Sequence, residues 1–275
     1  MSDGSKTFVV SSTEQLWKAS TRRGFLKMLG VGGTIVLAPG LFQACDNGYV
    51  PVTAPAGSGG SGSASLDLSN DVGILNYAYA LEQLEAAFYT AVVASAMFGS
   101  LSAEAQEVMA DLRNHEVIHR EFLKAALGNN AIGALAFNQA TVAATLTSGP
   151  VILKNAEAFE DLGVSAYNGA GKYLKDAGYL TLAGKIVSVE ARHAAAIRDM
   201  RDAAGVTGGT AAGTRFAGDD VVAASGAAAG LDVKLEPSAV LSRVQSTGLL
   251  STMVSIGKPP SGTATPDAGP PSPTP

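Results

Sequence analysis

The chain has 275 residues, a net charge of −5 and one cysteine. A single cysteine excludes an intrachain disulfide, and the absence of any basic cluster argues against nucleic acid as a partner. Residues 46–275 carry 14 Lys and Arg against 22 Asp and Glu, an acidic excess that bound cations would partly neutralise.

Residues 1–45 read as an address rather than as part of a fold. Thr21-Arg22-Arg23-Gly24-Phe25-Leu26-Lys27 matches the twin-arginine export pattern. The apolar run from Met28 to Ala44 is broken by Gly30, Gly32, Gly33, Pro39 and Gly40, too short and too interrupted for a membrane span. Cys45 closes it, after Ala44, where a bacterial lipoprotein would carry its acylated cysteine. Residues 46–66 are Gly- and Ser-rich and read as a flexible tether. Together these features predict an exported protein in the periplasm or cell envelope, with lipid on Cys45 as its only membrane attachment.

The next stretch, 67–209, carries the helical periodicity. Ile74, Ala78, Leu81, Leu84, Phe88, Val92 and Met97 keep near-helical spacing and predict a first helix over about 70–98. Ser102 is placed to cap a second helix that runs to Leu127 and stops at Gly128-Asn129-Asn130. Residues 128–150 show no clear period and read as a long connection. Pro150 marks the start of a third helix over about 151–177. Gly178 then marks a turn, and a fourth helix covers about 179–204. Residues 210–257 form an extension with a short helix after Glu236-Pro237, carrying Val240, Leu241 and Val244. Residues 258–275, rich in Pro, Ser, Thr and Gly, read as a disordered tail.

The two halves of the helical region repeat each other. Glu82 is followed by Tyr89, then by Glu116 and His119; Glu160 is followed by Tyr167, then by Glu190 and His193. The step from Glu to Tyr is seven residues both times, and both later pairs are Glu-x-x-His. Residues three apart share a helix face, so each pair points a carboxylate and an imidazole the same way. Some residues break the repeat. Glu85 and Glu157 would be matched by Gly163 and Tyr79, and His115 by Val189. The unmatched His115 reads as structural.

A Glu from each of two helices plus Glu-x-x-His from each of two others resembles the ligand set of ferritin-like di-metal carboxylate proteins. The run Leu81-Glu82-Gln83-Leu84-Glu85-Ala86-Ala87-Phe88-Tyr89 is similar to the exported bacterial members, some of them desiccation-related. The resemblance implies an all-α, up-down four-helix bundle with one long crossover between the second and third helices and disordered ends. It also implies two iron or manganese ions. Glu116 and Glu190 would bridge them, and Glu82, Glu160, His119 and His193 would be terminal ligands. Tyr89 and Tyr167 would either hydrogen-bond to ligands of the opposite half or supply electrons, or be core tyrosines with satisfied hydroxyls. Glu85, one turn from Glu82, would help deliver protons.

The leading functional expectation is action on O2 or peroxide, ferroxidase-like or peroxide-removing. The competing expectations are a ferritin-like envelope protein that holds metal without turnover, and a metal-free structural protein. The arrangement also allows a homodimer.

Overall fold

The computed structural model describes residues 8–10, 35–37, 62–203, 221–222, 225–226 and 228–261. The twin-arginine pattern, Cys45 and most of the tether fall outside them. Two units separate, residues 1–57 and residues 58–275. In the first, strands β1 (Phe8–Val10) and β2 (Ile35–Leu37) pair in parallel.

The second unit begins with β3 (Ser63–Asp67), followed by helix α1 (Asp71–Ala94) and helix α2 (Ala103–Leu127). A short helix α3 (Gln139–Ala144) lies in the crossover, and α4 (Gly149–Ala170) and α5 (Ala177–Ala203) follow. Helix α6 (Pro237–Ser246) and strand β4 (Met253–Lys258) complete it. Helices α1, α2, α4 and α5 are the expected bundle, with the long crossover between α2 and α4. No helix among the described residues is long and apolar enough to cross a membrane.

Side chains set the helix starts. Asn70 accepts a bond from the Gly73 amide, Ser102 from Ala105 and Ser148 from Val151, each occupying a donor that the helix itself leaves free. The turn between α4 and α5 comes earlier than Gly178 suggests. Asp71 accepts from the amides of Lys175 and Asp176, and Asp176 accepts from the Tyr179 amide as the cap of α5. The first helix likewise stops at Ala94, where the extended backbone of Ser95 turns its amide back to Val92.

The end of the expected tether is structured. Ser63–Asp67 pairs in parallel with Met253–Lys258, and Leu66 is buried against the core. That partner is almost the whole chain away, so no local pattern reveals the strand. Ordered structure also extends past the expected start of the tail at Lys258, because the Ser261 hydroxyl donates to the Ser69 carbonyl.

Helix α1 is buried nearly all round. Of its 24 residues, 17 are buried, against 6 in α2. The extension explains the difference: Val240, Leu241 and Val244 of α6 and Val254 of β4 join Tyr77, Leu81 and Phe159 in one apolar core. The crossover is fastened to the same helix. The Asn76 carbonyl oxygen accepts from the Ile132 amide and its amide donates to Asn130, and Gln83 accepts from the Leu135 amide. Bonds to buried polar side chains thus hold a segment that has no apolar period of its own.

Candidate metal centre

Each long helix contributes to one buried cluster. Glu82 comes from α1, Glu116 and His119 from α2, Glu160 from α4, and Glu190 and His193 from α5. The four carboxylates are fully buried, and His193 is 4 % exposed. Potential ligand atoms fall into two overlapping groups: Glu82, Glu116, His119 and Glu190 in one, Glu116, Glu160, Glu190 and His193 in the other. Within each group these atoms lie within 4.8 Å of one another. Glu116 and Glu190 belong to both groups, while each group has its own Glu and its own His.

The imidazoles point Nδ1 into the cluster. His119 Nδ1 is 2.9 Å from Glu190, 3.3 Å from Glu116 and 3.5 Å from Glu82. His193 Nδ1 is 2.9 Å from Glu116, 3.3 Å from Glu160 and 3.5 Å from Glu190. The two histidines thus face the shared carboxylates in mirrored fashion, as the repeat implies.

So much buried negative charge is costly. Burial pushes Glu82 and Glu160 well above the usual carboxylate range, reinforced by Glu190 and Glu116, although His119 and His193 pull the other way. Burial opposes charge on the histidines too, but the surrounding carboxylates outweigh it and hold both at about 12. Glu116 goes the other way: despite its burial, His119 and His193 bring it down to about 2.

The atoms at the centre remain short of partners. Glu82 Oε2, Glu116 Oε1, Glu160 Oε2 and both Glu190 oxygens are buried, and each is met by His119 Nδ1 or His193 Nδ1, a nitrogen shared among three carboxylates. Five inward-facing carboxylate oxygens sharing two imidazole nitrogens leave buried negative charge that a bound cation would offset. Oxygen and nitrogen donors in this ratio suit first-row divalent metals, so the cluster could hold metal ions.

Both tyrosines reach across the repeat. The Tyr89 hydroxyl of α1 donates to Glu160, and the Tyr167 hydroxyl of α4 donates to Glu82 at 2.5 Å. Burial, followed by the adjacent carboxylate, pushes both phenols well above their usual value, so they stay protonated donors. Each bond fixes the carboxylate that only one group possesses.

Two residues outside the repeat also bear on the cluster. Glu85 is 3 % exposed, and burial, then Glu190 and Glu82, push its carboxyl well above the usual range. It occupies the space left by its missing counterpart: a Cβ on Gly163 would stand 2.9 Å from Glu85 Oε1 and 3.8 Å from Glu190 Oε2. His115, read from the sequence as structural, lies against one of the cluster histidines. Its Nδ1 lies 2.9 Å from His193 Nε2, with the two rings nearly parallel, so it engages the nitrogen of His193 that faces away from the carboxylates. The available signal was its place beside Glu116 on the helix, on the side facing α5. Glu157, by contrast, pairs with Arg201 and takes no part in the cluster.

The ferritin-like domain family model matches residues 70–203, the span that contains all six clustered residues. No curated protein matches the chain.

Proposed function

We propose, from the premise that residues 70–203 are a ferritin-like domain, that this is an exported protein holding two iron or manganese ions and reducing dioxygen or peroxide. The observation that carries the proposal is the pair of overlapping ligand groups that share Glu116 and Glu190. In this reading Glu82, Glu116, Glu190 and His119 would hold one ion, and Glu116, Glu160, Glu190 and His193 would hold the other.

Two metal ions, each changing its charge by one, would supply the two electrons that convert peroxide to water or dioxygen to peroxide. The protein's contribution is placement and protons. Tyr89 and Tyr167 hold Glu160 and Glu82 by donated hydrogen bonds, keeping the terminal carboxylates aimed inward. Either reduction consumes two protons, and Glu85 is a buried carboxyl held protonated beside the cluster, without being one of its six members. Its Oε2 has no hydrogen-bond partner, so its proton is not committed to a structural bond there.

Support for export comes from Arg22-Arg23 with the Phe25-Leu26-Lys27 that follow, and support for a lipid anchor from Cys45 ahead of the Gly- and Ser-rich segment. Replacing both arginines with lysine is expected to strand the protein in the cytoplasm; continued export would remove this part of the proposal.

The test of the reaction is to load the full chain anaerobically with iron(II) or manganese(II), measure bound metal, and follow consumption of O2 and peroxide with a reductant present. The expected result is turnover with at least one metal, slowed in Glu85→Gln at unchanged metal content. Full occupancy with no turnover by either metal would leave a binding protein.

A further inference from the structure

The bundle has a second interior feature. Beyond the carboxylates, toward the start of α1 and the end of α4, lies a cavity of about 20 Å³ between all four long helices. Its inner wall is made by Leu81, Leu123, Tyr167 and Ile186, one residue from each helix, all buried. Each is close to a cluster residue, along its helix or through a hydrogen bond. Leu81 adjoins Glu82, Leu123 lies one turn beyond His119, and Ile186 lies one turn before Glu190. Tyr167 lines the cavity and donates its hydroxyl to Glu82. The outer rim is formed by Gly171, Leu174, Leu182 and Ala183, which are only half-buried. The cavity therefore runs from a thinly covered end of the bundle to the residue that holds a terminal carboxylate.

Its chemistry selects what could pass. The lining is aliphatic apart from Tyr77 and Tyr167; the Tyr167 hydroxyl is already committed to Glu82, which leaves the buried, unpartnered Tyr77 hydroxyl as the one side-chain polar group a water could meet. Space for a single water needs roughly 10–15 Å³, and a buried water needs two to four polar partners. The volume is sufficient and the partners are not, so such a cavity stays dry and favours a small apolar molecule. Peroxide would have to shed its hydrogen bonds to enter, at a cost that an aliphatic wall does not return. Dioxygen has none to shed.

We propose that this cavity binds dioxygen and is the passage by which it reaches the carboxylate cluster. The proposal rests on the reading of the cluster as a dioxygen- or peroxide-reducing centre and narrows its substrate.

The test uses dioxygen itself as the probe. It is paramagnetic, so under oxygen pressure it broadens the NMR signals of nearby methyl groups in the metal-free full chain. The methyls of Leu81, Leu123 and Ile186 should broaden several-fold more than those of Ile152 and Val240, which are fully buried elsewhere. Uniform broadening across these five residues would overturn the proposal. Ala183→Phe, which fills the rim, should abolish the selective broadening and slow O2 consumption by the loaded chain several-fold. Metal content and peroxide consumption should be unchanged. An unaltered O2 rate in a variant that has lost the broadening would overturn the passage. If broadening is selective but the loaded chain consumes neither O2 nor peroxide, the dioxygen site stands and the proposed reaction falls.

Discussion

The two halves of the bundle agree at the centre and differ one step away from it. Glu82, Tyr89, Glu116 and His119 of α1 and α2 are matched by Glu160, Tyr167, Glu190 and His193 of α4 and α5, and the matched residues converge on one cluster. At the next layer Glu85 faces Gly163, and His115 backs His193 where Val189 would be its counterpart. Repeated residues build two equivalent positions. The unrepeated ones give the site a direction, with a protonated carboxyl beside the cluster and a histidine behind one imidazole only.

The largest expected effects test the equivalence. Glu82→Gln and Glu160→Gln should each lower bound metal and turnover, and by similar amounts, because each removes the carboxylate private to one group. A variant that spares both quantities would break the comparison at its centre. The tyrosines come next. Second-layer partners of metal ligands are worth about 10–100-fold in affinity or activity, so Tyr89→Phe and Tyr167→Phe should each weaken metal binding within that range, measured by competition with a chelator. A large difference between them would mean that one of the crossed hydrogen bonds is incidental.

Singletons should behave differently. Glu85→Gln keeps the shape and removes the acid; a loss of turnover of about 10²-fold or more is the scale for a general acid, with metal content intact. His115→Ala should weaken one of two metal-binding steps and leave the other unchanged, because only His193 has such a neighbour. Equal weakening of both steps would show that His115 acts through the fold.

Acidity offers a subtler test on the metal-free protein. Both cluster histidines are raised from 6.5 to about 12 by their carboxylate neighbours. The folded state then holds more protons than the unfolded one between those values. Their stabilisation is complete below pH 6.5 and drains away as pH rises. Glu82, Glu85 and Glu160 are raised as well and act with the same sign. Glu116, lowered from 4.5 to about 2, opposes them only in acid. Thermal stability of the metal-free chain should therefore fall from pH 6.5 upward, while the loaded chain, whose ligands are already deprotonated, should vary less. Parallel curves would contradict the proton assignment.

The smallest expected effect is at Gly163. Alanine there gains helix propensity of about 1 kcal/mol but meets the movable end of Glu85. Gly163→Ala should thus change stability by no more than about 1 kcal/mol and stabilise more clearly when Glu85→Ala is also present.

The sequence shows how unevenly such a protein can be read. Helix periodicity and the duplicated Glu, Tyr and Glu-x-x-His steps disclose four helices and which faces meet, because these signals are local and repeat at the helical period. The strand at Ser63–Asp67 is hidden, since only its distant partner Met253–Lys258 makes it a strand. The early turn depends on Asp71 capturing the amides of Lys175 and Asp176, a contact between residues far apart in the chain. The contact of His115 with His193 is hidden for a related reason. Repetition identifies what both halves share and is silent about a residue whose partner lies on another helix.

The central claim is that Glu116 and Glu190 serve two positions while Glu82 serves one. It is tested most directly by counting metal ions on the purified full chain after anaerobic loading with iron(II) or manganese(II), for the natural sequence, Glu116→Ala and Glu82→Ala. The account predicts two ions per chain, near-complete loss in Glu116→Ala, and retention of more metal in Glu82→Ala than in Glu116→Ala. An unchanged count in Glu116→Ala, or a count of at most one in the natural chain, would contradict it.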